Sequence, residues 1–266
     1  MCTNPPPPPP LPSENAIKYH TSKGLPHSSQ HTMSDSICQW TSEPELREAC
    51  AKNNICLYQP PYRYKYRNYE AISQVGPTCG LVAFSMLLNG KISPDELLNT
   101  AKLEGYSNNG EMFSCRNMAN LIVKTLNLTK NSHATVDIGQ DLYSEEIIQE
   151  LLDGAFLLVP YDADCNHSPC LRHGHTAHWA LVSGIIIVNN PKNNLLADPK
   201  NIYILCKHGK SKYLAIWALA QLDSSNKNLV ELNPKKEGDG LLYILPEGGI
   251  GGEKGLRDQF VIIRGI

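Results

Sequence analysis

The chain has 266 residues, 24 Lys+Arg against 26 Asp+Glu, and 41% hydrophobic residues, enough for one large domain with a sizeable core. A formal net charge of -2 leaves no electrostatic footprint for a nucleic-acid partner. No apolar run approaches the roughly 20 residues of a membrane-spanning helix, and Pro5 to Pro10 stand where a signal peptide would carry its apolar segment. A cytoplasmic protein is expected, and in that compartment nine cysteines are thiols, metal ligands or a nucleophile before they are disulfides.

Residues 1–40 are rich in Pro, Ser, His and Thr and poor in large apolar side chains, so they cannot bury enough surface to offset chain entropy. Disorder is expected there. Within the segment, Pro5 to Pro10 with Leu11-Pro12 should form polyproline II, either a docking element for an aromatic groove or a solvated spacer.

The folded domain is expected over 41–266. Thr41 or Ser42 precedes a short helix over Pro44 to Asn53, and a Tyr-rich connector follows from Tyr58 to Tyr69. An apolar helix starts at about Cys79 and stops at Asn89-Gly90. Ser93-Pro94-Asp95-Glu96 opens the next helix with a capping box and a proline at the first helical position. Ser114 and Ser144 cap two more, the last ending at Gly154. Beyond it the pattern turns to β-branched apolar runs: Phe156 to Tyr161, Ala177 to Val188, Ile202 to Cys206, Leu241 to Leu245 and Phe260 to Ile263. Helices first and strands second predict an α+β domain, a helical half packed on an antiparallel sheet half.

Chemistry concentrates in Gln74-Val75-Gly76-Pro77-Thr78-Cys79-Gly80. A thiol attacks carbonyl carbon as thiolate, and the N-terminus of a helix favours that negative charge. Gly76-Pro77-Thr78 breaks the chain just before Cys79, and Gly80 would let a substrate backbone approach. Gln74 can donate its amide to a developing oxyanion beside the Cys79 backbone N–H. The imidazole partner is expected far away in sequence, and His178, at the start of a long apolar strand, is the candidate. Trp179 would shield the pair from water. A third group should orient the imidazole from the end of the following strand; His208 stands near that place, with Asp198 in the preceding loop as the alternative.

A competing signal lies in Asp162, Asp164, Cys165, His167, Cys170, His173, His175 and His178, whose density invites a zinc reading. It lacks a second paired knuckle. Its histidines could instead rim a cleft ahead of the base strand.

Together with the Cys79 segment, Gly105-Tyr106, Gly110-Glu111-Met112-Phe113-Ser114, Pro160-Tyr161-Asp162, Asn166-His167, Pro169-Cys170, Gly174-His175, Ala177-His178-Trp179-Ala180, His208-Gly209-Lys210-Ser211 and Ser225-Asn226 resemble the actin maturation protease family, from about residue 70 to the C-terminus. The resemblance implies a papain-like cysteine peptidase fold. It implies a cytosolic aminopeptidase, without cofactor, that removes the acetylated N-terminal Met or Cys of immature actin. It also implies recruitment of profilin by the Pro tract, and it gives Cys79 the nucleophile role and His178 the base role. A non-catalytic profilin- and actin-binding adaptor, or a zinc-binding module, are the readings it competes with. Removal of a single blocked residue demands a cleft closed on the acyl side, and no stretch of the sequence identifies that wall.

Overall fold

The computed structural model describes residues 43–56, 60–128, 133–191 and 194–266. The Pro-rich segment, with its expected disorder and polyproline helix, lies outside them. Helices α1 (Pro44–Lys52), α2 (Cys79–Leu87), α3 (Pro94–Leu103), α4 (Cys115–Leu128), α5 (Glu145–Asp153) and α6 (Leu219–Lys227) surround strands β1 (Arg63–Tyr66), β2 (Thr135–Gly139), β3 (Phe156–Asp162), β4 (Ala177–Ile187), β5 (Ile202–Lys207), β6 (Ala215–Ala218) and β7 (Phe260–Arg264). No described helix is long and apolar enough to cross a membrane.

Local chemistry starts α3 and α5 as expected, whereas α1, with Thr41 or Ser42 as its expected cap, has Glu43 at its N-cap and no side-chain cap. At α3 the Ser93 hydroxyl accepts from Glu96 N while the Glu96 carboxylate accepts from Ser93 N at 2.8 Å. Such a cap contributes about 1 kcal/mol. Ser144 caps α5 by accepting from Ile147 N. The helix α2 is apolar all round and buried along its whole length, as a helix pressed between a sheet and other helices must be.

The sheet runs β2-β7-β3-β4-β5-β6, and all its pairings are antiparallel. β4 is its spine. β3 pairs with residues 177–182 of β4, and β1 continues the same edge by pairing with 184–187. A register shift between Val182 and Gly184 inserts one residue into β4. The side-chain period is two, so the insertion moves the next apolar residues by one position: Ala180 and Val182 share a face with Ile185 and Ile187.

The arrangement differs from the expected two halves in one respect. Helices α2, α3 and α4 pack on one face of the sheet over Phe156, Leu158, Trp179 and Leu181. Helices α5 and α6 cover the opposite face over Leu157, Val159, Ala180 and Val182. Both faces of β3 and β4 are therefore buried, which is why these strands read as unbroken apolar runs rather than as alternating ones. β1 falls in the Tyr-rich stretch that the sequence leaves as a connector; β2, β6 and α6 are short and carry no distinct local signal. The expected strand over Leu241 to Leu245 does not form: the segment is irregular, with Leu242 79% exposed. Its polar anchors are instead the Asn108 and Asn109 side chains, whose amides donate to Leu242 O.

Candidate active site

Cys79 is the first residue of α2, following the N-cap Thr78. His178 is the second residue of β4 and pairs with Tyr161 of β3. β5 stops pairing with β4 at Leu181–Lys207, and beyond that point the backbone N–H of Trp179 reaches Cys79. The end of β5 thus leaves room at the top of β4 for the first turn of α2. One cavity of about 170 Å³ is lined by Gln74, Cys79 and His178 together. Side chains from two distant parts of the sequence, the 74–80 segment and the start of β4, are brought to one place.

Gln74 is held on both sides. Its backbone N–H donates to Gly209 O at 2.8 Å, and its Nε2 donates to Gly76 O at 2.5 Å. An Nε2 amide has two N–H bonds, so one remains for the cavity that Gln74 lines. Gly209 is a glycine of close approach: a Cβ there would meet Gln74 Cβ at 2.6 Å and Val82 Cγ1 at 3.1 Å. Gly80 has a different role from the one expected. An added Cβ would lie 2.5 Å from Met118 Cε and 3.2 Å from Trp179 Cδ1, so the glycine lets α2 pack on α4 and β4 rather than admitting a substrate. Trp179 is buried and donates its Nε1–H to Met112 O at 3.0 Å.

The electrostatics differ from a preformed ion pair. Burial pushes the Cys79 thiol up to about 11, against the opposing pull of backbone N–H groups of Trp179, Gly80 and Cys79 itself and of the Lys210 ammonium. Desolvation here outweighs the helix terminus. Cys115 also begins a helix and is also buried; burial alone drives its thiol up, with no donor to oppose it. Burial, then the neighbouring His208, His167 and Lys210, lowers His178 to about 3. The unliganded site therefore holds a neutral thiol beside a neutral imidazole.

His208 follows the last residue of β5 and comes beside His178: the ring centroids are 5.7 Å apart at 79°. It stacks on Trp217 at 5.8 Å and 23°. His167 completes a triangle of rings, 6.0 Å from His178 and 5.8 Å from His208. Burial lowers His208 to about 4. His178 Nε2 and His208 Nδ1 are both buried without a hydrogen-bond partner. Asp198, the alternative orienter, precedes β5 at the strand's other end, where its carboxylate accepts from Lys200 N at 3.0 Å. The antiparallel pairing of β4 with β5 puts that end next to Ile187, away from His178.

The zinc reading fails on geometry. Among the described residues no group of three or more His, Cys, Asp or Glu side chains is arranged to hold a metal ion. Asp162, Asp164 and His175 of the 162–178 loop are engaged elsewhere. Asp162, fully buried, accepts from the backbone N–H of Arg172 and Thr176. Asp164 pairs with Arg172, and His175 Nε2 lies 2.8 Å from Glu231. Sequence reasoning did not assign the ring neighbours Tyr161 and Trp217, nor Gly209 and Lys210; the only sequence signal for the last two is the His208-Gly209-Lys210-Ser211 segment.

Comparison with known proteins shows which family the chain belongs to. Residues 69–186, which contain Gln74, Cys79 and His178, match a family model described as actin maturation protease-like, C-terminal domain. The chain is 39% identical over 230 residues to the actin maturation protease of Drosophila melanogaster, covering 86% of this chain and 82% of that protein. It is 33% identical to that of Danio rerio over 74% of this chain and 73% of the relative, and 34% identical to that of Xenopus tropicalis over 75% and 73%. With these relatives along most of its length, the chain belongs to the actin maturation protease family.

Proposed function

We propose that this chain is a cysteine aminopeptidase of papain-like design that removes the acetylated N-terminal Met or Cys from immature actin. The observation that carries the reading is the meeting of Cys79, His178 and Gln74 on one cavity at the starts of α2 and β4. The names of the relatives supply actin as the substrate.

Catalysis begins from the neutral pair. As Cys79 Sγ attacks the first peptide carbonyl, its proton passes to His178, so charge develops only when substrate has displaced water. The carbonyl oxygen becomes an oxyanion that accepts from Gln74 Nε2 and from the Cys79 backbone N–H. The C–N bond breaks as His178 returns the proton to the leaving amine, the new N-terminus of actin. His178 then takes a proton from water, whose oxygen attacks the thioester; the S–C bond breaks, the thiol regains the proton, and the acetylated amino acid leaves. His208 is the positioning residue for the His178 ring.

The peptidase domain spans 41–266 in this reading, and the protein acts in the cytoplasm, with Pro5 to Pro12 recruiting profilin. Deleting residues 1–40 should weaken processing of profilin-bound actin while sparing a free peptide.

The deciding experiment incubates an acetylated actin N-terminal peptide, and profilin–actin, with wild type and with Cys79→Ala. Mass spectrometry should find loss of the first residue with wild type only. Intact substrate with wild type in both formats would overturn the reading, and equal effect of Cys79→Ala would favour the non-catalytic adaptor.

A further inference from the structure

Resting on that reading, we propose that Tyr243 and Lys236 brace Phe113 into a wall that limits cleavage to a single acyl residue. The cavity beside Cys79 is lined further by Met112, Phe113, Leu232, Lys236 and Leu256. Its volume of about 170 Å³ is below the roughly 300–1,000 Å³ of pockets that enclose drug-sized ligands. One residue with a small cap matches that space; a longer acyl chain needs an exit. His167, His208 and Lys210 do not line the cavity, yet they act on His178 by charge. Two sides therefore meet at the Cys79–His178 pair: an apolar cavity, and a margin of rings and a cation. His178 protonates the leaving amine, so the leaving chain runs along its margin and the acyl residue fills the cavity.

Phe113 stands where that acyl chain would continue. Its ring meets Tyr243 edge-on, centroids 6.0 Å apart at 66°. The Lys236 ammonium lies over both rings, 4.4 Å from the Tyr243 centroid and 5.9 Å from that of Phe113, and donates to Tyr243 Oη at 3.3 Å. Tyr243 in turn donates its hydroxyl to Asp239. The backbone on both sides is tied down as well. Leu242 O accepts from the side-chain amides of Asn108 and Asn109 at 3.1 and 3.0 Å. The buried Glu111 carboxylate accepts from Ser107 Oγ, Asn109 N and Asn109 Nδ2. The segment around Tyr243, which reads as a strand in sequence, is thus a strap clamped across the 107–113 loop. It backs Phe113 and Lys236, which line the cavity. Apart from Cys79 and His178, the lining's charged or titratable side chains are already engaged: Glu111 with its own loop, His175 with Glu231 and Lys236 with Tyr243. Leu242 engages the loop through its carbonyl while the residue is largely exposed, so the side-chain part of the brace is the tyrosine ring.

The test compares wild type, Tyr243→Ala and Lys236→Ala on one acetylated peptide, with the released acetylated fragments sized by mass spectrometry. Wild type should release the acetylated amino acid alone. Each variant should release acetylated dipeptide as well, at one-tenth or more of the single-residue product. Lys236→Ala keeps the test decisive if Tyr243→Ala fails to fold. Single-residue product only from every folded variant, at whatever rate, overturns the wall, because a merely structural role lowers rate without lengthening the fragment. Absence of any product from wild type would instead sink the aminopeptidase reading itself.

Discussion

His178 and His208 stand edge to face, 5.7 Å between ring centroids, at the adjacent ends of β4 and β5, and each keeps one buried ring nitrogen without a partner. Two such orphans side by side are costly unless one donates to the other at some stage. A proton arriving on the far side of the His178 ring during attack gives its Nε2–H a reason to seek His208 Nδ1. The pair is thus poised for the imidazolium that catalysis forms and the resting state avoids.

Replacing His208 should therefore loosen the base without removing it. His208→Ala is expected to lower kcat by on the order of 100-fold, the cost of a misplacement of about 1 Å. His208→Asn, which can accept through its amide oxygen, should recover part of that loss. Steady-state kinetics on the acetylated peptide, with KM and kcat separated, checks this; equal deficits in Ala and Asn variants would assign the ring a packing role on Trp217 instead.

Acid should unfold the protein through these rings. His178 and His208 have folded values lowered to about 3 and about 4, and burial first, with Lys210 second, lowers His167 as well. Unfolded histidines bind a proton near pH 6.5, so between that point and the folded values the unfolded state holds more protons. Stability is then complete above about pH 6.5 and is lost as pH falls through the window, by an amount on the order of a few kcal/mol. Thermal melts from pH 7.5 to 4 should show a falling Tm, and His208→Asn should flatten the slope.

The neutral thiol has its own signature. A cysteine already ionised by an imidazolium reacts with iodoacetamide at a rate that is flat above pH 5–6. With Cys79 pushed up to about 11, the alkylation rate of the unliganded protein should instead keep rising about tenfold per pH unit across the neutral range. A plateau below pH 7, read by mass spectrometry of the Cys79 peptide, would contradict the neutral pair.

Gly209 offers a way to displace the amide donor from behind. A methyl there would meet Gln74 Cβ at 2.6 Å, and Gln74 must shift. Gly209→Ala should lower kcat in the direction of Gln74→Ala, whose expected loss is about 100- to 1,000-fold, the usual cost of one oxyanion donor. Combining the two changes should cost little more than Gln74→Ala alone, because both act through one side chain.

Several features were legible in the sequence because they are local. The break at Gly76-Pro77-Thr78 followed by an apolar run fixes a helix starting at Cys79, and a capping box names its own helix at Ser93. His178 could be placed at a strand start because both faces of β4 are buried and the run is uniformly apolar. His208 is favoured over Asp198 in the sequence by its place after the strand that follows His178, and the antiparallel register brings that end of β5 toward His178. The leucines at 241–245 misled because local propensity does not report whether a segment pairs with a sheet.

What the sequence determined by itself is that Cys79 heads a helix. What only the tertiary structure decided is the state of its sulfur. A helix terminus is built from neighbouring residues, but burial comes from a core shared with Trp179 and Met118, contributed by distant parts of the chain. Desolvation by those groups exceeds the favour of the helix end, and so a residue that reads as a thiolate rests as a thiol.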